Sequence, residues 1–254
     1  MLHALREFSR AIPRGEASMN LRRVFYRKKF RDISINSSAS DALYRSQHAQ
    51  DRFIDKFLLH GKRDGVFVDI GAYDGVALSN TYYFEKELGW SGLCIEPNPA
   101  AYGRLTQNRK SVTINCGVGA RDDALEFLQL PGDLDLGSGF IQYLDDSSIY
   151  KDKKFIEQVQ TEGGAIIKVP VRCFNELLEA SQIPRVDYLS IDTEGADLEI
   201  LRSIDFDAFD VQVISIENSC FGDRIISLLS KEGYDLKAVL GNDEIYVKKN
   251  RQAN

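Results

Sequence analysis

The sequence has no run of about 18 apolar residues, so no membrane-crossing helix is expected from it. Six prolines and 19 glycines form no Pro/Gly-rich linker. Hydrophobic residues at 43% and charged residues at 28% exclude wholesale disorder. Cysteine is sparse: Cys94, Cys116, Cys173 and Cys220 are scattered, with no C-x-x-C pair. A disulfide framework is out of place in a chain this long, so free thiols in a reducing, cytoplasmic compartment are expected. The opening MLHALREFSRAIP carries charges where a secretory signal needs an apolar stretch. The dinucleotide fingerprint G-x-G-x-x-G and the P-loop G-x-x-x-x-G-K-[ST] are both absent, which weighs against NAD-dependent and P-loop chemistry.

What is present is uneven in charge. The net is −6, yet residues 1–31 hold nine Lys+Arg against two Asp+Glu, a local +7. The other 23 basic and 36 acidic residues leave the remainder at −13. The basic, aromatic stretch 19–31 fits an anionic surface partner, such as a membrane face, or else a solvated tail. The acidic remainder makes nucleic acid an unexpected partner. We expect a basic extension over residues 1–40 and one domain over 41–254, a length that completes a single core.

Within that domain short apolar runs alternate with helical stretches of about ten residues. GVFVDI (65–70), SGLCIEP (91–97), SVTINC (111–116), IIKVPV (166–171), VDYLSI (186–191) and VQVISIE (211–217) read as strands. ALEFLQL (124–130) alternates and reads as an added strand. The pattern specifies an α/β domain with a mostly parallel sheet. Residues 131–165 break the rhythm and are expected to form a substrate lid with Gly137 and Gly139 as hinges.

The chemistry concentrates at strand ends. VFVDIGAYDG (66–75) runs a buried strand through Asp69 into Gly71-x-x-x-Gly75. Ligands of open α/β sheets bind there, and glycine permits close backbone approach. Asp69 and Asp74 would repel a pyrophosphate but suit a positively charged ligand bearing an ammonium and a sulfonium. Glu96, 25 residues after Gly71, ends the next strand, where an acid accepts hydrogen bonds from ribose hydroxyls. IDTEGADLEIL (191–201) then presents Asp192 and Glu194 at a later strand end, facing the first loop. Such carboxylates can bind an amine, take a hydroxyl proton or hold a cation. The structural alternatives are tight-turn glycines, a helix-capping Glu96 and acids favoured by a helix N-terminus.

These stretches, with SQHAQDRFI (46–54), CIEPNPAAYGRLTQN (94–108), INCGVGARDDALEF (114–127), VISIEN (213–218) and NDEIYVKK (242–249), resemble the FkbM-type methyltransferases in the family's order. The resemblance covers about residues 44–250. It implies a doubly wound, mostly parallel seven-stranded sheet of the Rossmann-like methyltransferase type, with the last strand antiparallel. It implies S-adenosylmethionine as cofactor and methyl transfer to a hydroxyl, often of a sugar, glycan or natural product. Carried onto this sequence, Asp69, Gly71, Ala72 and Gly75 would line the methionine part and Glu96 would hold the ribose, with Asn98 beside it. Cys116, Gly117 and Val118 would approach adenine. Asp192 and Glu194 match the acidic pair after the fourth strand; Asp192 is also expected at the cofactor. Either acid is expected as general base, with a divalent cation left open as a helper. His48 lies in a family-like segment and is a further catalytic candidate. RNA ribose methylation through the basic tail, and cofactor binding without turnover, remain alternatives.

Overall fold

The runs VFVDI and RVDYLSI are buried along nearly their whole length, as strands sandwiched between two helix layers must be. A computed structural model describes residues 43–144 and 153–249. The basic extension expected at 1–40 therefore lies outside the described residues. The elements begin with α1 (Gln50–Phe53), continued by a π-helical turn over Ile54–Leu59, then β1 (Val66–Ile70), α2 (Tyr82–Leu88), β2 (Ser91–Ile95) and α3 (Pro99–Asn108). Next come β3 (Val112–Ile114), β4 (Gly117–Gly119), β5 (Asp123–Gln129), β6 (Gly139–Phe140), α4 (Lys153–Thr161) and β7 (Ala165–Cys173). The chain ends with α5 (Phe174–Ala180), β8 (Arg185–Ile191), α6 (Asp197–Ser203), β9 (Asp210–Glu217), α7 (Arg224–Lys231), β10 (Tyr234–Leu240) and β11 (Asp243–Lys248).

Seven strands form the main sheet in the order β10-β11-β9-β8-β1-β2-β3. β1, β2, β3, β8 and β9 pair in parallel, and β11 inserts antiparallel to both β9 and β10. This is the doubly wound sheet expected, with its last strand reversed. Side chains alternate between faces along each strand. Val68, Ile70, Leu189, Ile191 and Ile214 pack with Phe174 and Leu178 of α5, Leu198 and Leu201 of α6, and Ile225 and Leu229 of α7. Phe67, Tyr188 and Val213 pack with Phe53, Phe84, Leu88 and Leu105 on the opposite face. Among the described residues no helix is long and apolar enough to cross a membrane. No disulfide links the four cysteines; Cys94 and Cys116 are buried, Cys173 is half-buried and Cys220 exposed.

The run at 166–171 departs from the simple α/β alternation. It lies in β7 of a second sheet, ordered β4-β7-β5-β6, where it runs antiparallel to β5. Its residues alternate between exposed and covered positions. That period of two marks a sheet with one wet face. The expected lid at 131–165 divides. Gly132–Gly137 is a 3-10 turn, and Gly139 lies in β6 opposite Leu128 of β5. Residues 145–152 lie outside the described set.

The chain leaves β1 for β2 on one side and returns to β8 on the other, so the carboxyl end of β1 is the switch point of the sheet. There Gly71 donates its N–H to Ile95 O at 2.9 Å, and Asp192 donates to Ile70 O at 3.0 Å. Gly71 has φ +86°, and a Cβ on it would lie 1.7 Å from the Asp192 carbonyl oxygen. Glycine is required here because two backbone segments cross. Gly71→Ala should therefore lower the free energy of unfolding by at least about 2 kcal/mol in urea titrations. Gly103→Ala, in α3 with nothing within 4 Å of the added methyl, should raise it by about 0.5–1 kcal/mol. Equal stabilities for the two variants would remove the crossing as the reason for Gly71.

Candidate active site

One cavity of about 290 Å³ opens at the switch point. Its floor is the ends of β1, β2, β8 and β9, and its roof includes Phe127 and Phe140 of the second sheet. Ten of the twelve residues carried onto the cofactor and catalytic site from the sequence line it: His48, Asp69, Gly71, Ala72, Glu96, Cys116, Gly117, Val118, Asp192 and Glu194. Gly75 and Asn98 do not.

Gly75 instead packs against α3. With φ +79°, its added Cβ would meet Arg109 Cγ at 2.6 Å and Leu105 Cδ1 at 2.7 Å. Asn98 is the N-cap of α3, its Oδ1 accepting from Ala100 N at 3.0 Å and from Gln129 Nε2 at 2.9 Å. Its amide is used within the protein, and the following Pro99 opens the helix.

Glu96 is 6% exposed and sits at the end of β2. Its Oε1 accepts from Asn98 N at 2.7 Å and its Oε2 from Tyr73 N at 2.8 Å. Burial pushes its carboxyl up to about 7 against those two N–H donors, with the charges of Asp69 and Asp135 adding to the rise. Asp135 carries the 3-10 turn onto this side of the cavity. It accepts from Arg104 Nη2 at 2.6 Å and from the Tyr73 hydroxyl.

On the far side of β1 the wall is acidic. Asp192 and Glu194 follow β8, and Glu194 has φ +53° in a turn completed by Gly195. Burial raises Asp192 well above the ordinary carboxylate range, with Asp243, Asp197, Glu217 and Glu194 adding repulsion. Burial and then Glu217 push Glu194 up to about 7. Sequence reasoning did not single out Glu217 and Asp243. They are direct partners in the register of β9 with β11 and both line the cavity. Both lie within stretches already noticed, VISIEN and NDEIYVKK. Asp243 accepts from Gln50 Nε2 at 2.7 Å, yet burial holds its carboxyl at about 7. His48 shares this end, its ring pressed against Gly241.

Seven carboxyls thus line the cavity: Asp69, Glu96, Asp135, Asp192, Glu194, Glu217 and Asp243. Among the described residues no Lys or Arg does. Nor is any group of three or more His, Cys, Asp or Glu among the described residues arranged to hold a metal ion. Two polar atoms of wall residues, Asn80 Oδ1 and Thr193 Oγ1, are buried without a hydrogen-bond partner.

The family model for the methyltransferase FkbM domain matches residues 69–236, more than half of the chain. The chain belongs to the FkbM methyltransferase family. The match begins at Asp69 and takes in Glu96, Asp192 and Glu194 of the cavity wall. Methyltransferase sdnD of Sordaria araneosa is 25% identical over 191 residues, 66% of this chain and 73% of that protein. Methyltransferase 1 of Beauveria bassiana is 26% identical over 164 residues, 58% of this chain and 61% of that protein. Among solved structures, the FkbM methyltransferase of Methylobacillus flagellatus aligns with TM-score 0.43 and 13% identity, over 72% of this chain and 43% of that one. Aeropyrum pernix fibrillarin, solved with S-adenosyl-L-methionine, aligns with TM-score 0.45 and 14% identity, over 81% of this chain and 74% of that one.

The carboxyls of this FkbM methyltransferase couple its stability to pH. Glu96, Glu194 and Asp243, with Asp197 behind them, all stand at about 7 in the folded chain. Each keeps a proton at pH values where the unfolded chain has released it. Their contribution to stability is complete below about pH 4 and is lost as the pH rises through about 7. Glu85, held at about 2, acts in the opposite sense but below this window. The melting temperature of the ligand-free protein should fall between pH 5.5 and pH 8. Asp243→Asn should make that fall shallower; an unchanged slope would acquit the cluster.

Proposed function

We propose that this methyltransferase uses S-adenosylmethionine to methylate an uncharged hydroxyl of a sugar, glycan or natural product. The observation that carries the reading is the cavity wall, with seven carboxyls and, among the described residues, neither Lys nor Arg. A wall of that composition suits a sulfonium and an ammonium, which can take the place of the protons its carboxyls hold, and it offers a phosphorylated acceptor no cation.

The residues fit the cofactor. Each Glu96 oxygen takes one backbone N–H and keeps a lone pair for a ribose hydroxyl. Cys116, Val118 and Phe140 offer an apolar surface for adenine. Asn80 Oδ1 and Thr193 Oγ1 are buried acceptors with no partner inside the protein, as atoms that receive a polar ligand are. The cofactor, when bound, supplies a methyl group on a positively charged sulfur.

The chain's own part is to align the acceptor and take its proton. A sugar hydroxyl is a weak nucleophile, and a base must accept its proton as the new bond forms. Glu194, at about 7, exchanges a proton near neutral pH, and Asp192 stands beside it on the same turn. His48 is a third proton acceptor on the wall. The 3-10 turn and β6 cover the cavity from above through Leu136, Ser138 and Phe140, which limits water at the reacting atoms. Ribose methylation of RNA is the weaker reading, because the cavity wall, among the described residues, offers a polyanion no Lys or Arg. A protein that binds the cofactor without turning over would leave Asp192 and Glu194 substitutions silent.

Titration calorimetry should give micromolar S-adenosylmethionine affinity, weakened at least tenfold, about 1.4 kcal/mol, by Glu96→Ala. Absence of binding by well-folded wild-type protein would sink the cofactor assignment. Among paired neutral and phosphorylated hydroxyl acceptors, methyl transfer should occur on the neutral members alone. In that assay Glu194→Gln or Asp192→Asn should lower kcat by about 10²-fold or more. Full turnover by both variants would end the base assignment.

A further inference from the structure

We propose that Asn80 receives the ammonium group of the cofactor's amino-acid half through its side-chain oxygen. The inference rests on the cavity being the S-adenosylmethionine site. Asn80 precedes α2, is 6% exposed and forms part of the cavity wall. Its Nδ2 donates to Ser190 Oγ at 3.0 Å, and its Oδ1 has no partner. A buried amide oxygen left unpaired is unfavourable unless a donor arrives.

A chain of hydrogen bonds decides which end of the amide is left for the ligand. Ser190 lies on β8 directly beside Asp69 on β1. Burial pushes the Asp69 carboxyl up, and both the Thr81 hydroxyl, at 2.5 Å, and the Ser190 hydroxyl donate to it. The Asp69 oxygen that faces Ser190 accepts that hydroxyl's single proton. Ser190 Oγ must then accept from Asn80, which requires the amide NH2 to point at it. The oxygen is what remains.

The position selects the group it meets. Glu96 and Cys116 lie on the β2 side of β1, where ribose and adenine are read. Asn80 is bonded to Ser190 of β8, the strand that pairs with β1 on its other side and leads into Asp192. Of the cofactor's hydrogen-bond donors, the ribose hydroxyls and the adenine amine belong to the first side. The ammonium remains for the second. The carboxylate tail has no cationic side chain to meet on the described wall, so it is not the group that this end selects.

The test uses calorimetry on the full chain with four probes: S-adenosylhomocysteine, its desamino and decarboxy analogues, and 5′-methylthioadenosine, which lacks the whole amino-acid half. Wild type should lose at least tenfold in affinity when the ammonium is removed. Asn80→Ala should bind S-adenosylhomocysteine at least tenfold more weakly, bind methylthioadenosine within twofold of wild type, and no longer distinguish the desamino analogue. Ser190→Ala, which frees the amide to turn, should cut that discrimination severalfold with methylthioadenosine again unaffected. Asn80→Ala weakening both nucleosides alike would make Asn80 a structural residue and overturn the proposal. So would wild-type indifference to the ammonium, or a loss in the variant that tracks the carboxylate. Wild type that binds none of the four probes would instead bring down the cofactor reading itself, and this inference with it.

Discussion

The guanidinium of Arg109 is the buried ion around which the site is built. Its side chain emerges at the end of α3 with no exposed surface and meets Glu85 of α2 at 2.9 Å. From there it donates to Gly75 O at 3.2 Å, to Ser79 Oγ at 3.4 Å and to Thr81 Oγ1 at 3.0 Å, while its carbon stands 5.2 Å from the Phe67 ring centroid. One cation thus ties α3, α2, β1 and the loop between β1 and α2. Burial alone would push the Glu85 carboxyl up; Arg109, then the Ser111 hydroxyl and the Lys110 amide, hold it down at about 2. A buried pair of this kind gives little net stability over an apolar replacement, but losing one partner typically costs about 3–5 kcal/mol. What Arg109 secures is position. Gly75 must lack a side chain because the arginine stem occupies that space.

That positioning reaches the cavity through Thr81. Arg109 donates to the Thr81 oxygen, and the Thr81 proton goes to Asp69. Asp69 is in turn bonded by Ser190, and Ser190 by Asn80. Most links join residues far apart in sequence, so the wall is set by the folded sheet rather than by a local motif. The buried cation packs against Phe67 of β1, and the cavity at that strand's carboxyl end is lined by carboxyls.

The sheet was legible in the sequence because its parallel strands are buried on both faces and read as unbroken apolar runs. Glu96 and Asp192 were legible because a strand end followed by a turn places them at the switch point whatever the rest of the chain does. Gly75 and Asn98 were read as ligand residues, yet the structure turns them toward the protein. The reason lies with Arg109, Gln129 and Ser138, whose proximity is a tertiary fact. The pairing of Glu217 with Asp243 was hidden for the same cause, since it depends on the antiparallel register of β11 against β9. The strand at 166–171 was seen, but nothing in its own residues said that it would leave the main sheet for a second one that roofs the cavity.

The crowding of carboxyls has a consequence for how the site works. Burial, and then the repulsion of neighbouring carboxyls, makes Asp192, Glu194 and Asp243 keep protons that ordinary carboxyls release near pH 4. A cationic ligand relieves the same repulsion without those protons. Binding should then expel them and stabilise the fold, because the ligand interacts only with the folded chain. Transfer of the methyl group removes the charge on sulfur while the carboxyls stay. The attraction that holds the donor is therefore stronger than the one that holds the spent cofactor. On this reading the electrostatic cost that the apo fold tolerates at its switch point is the same feature that distinguishes donor from product.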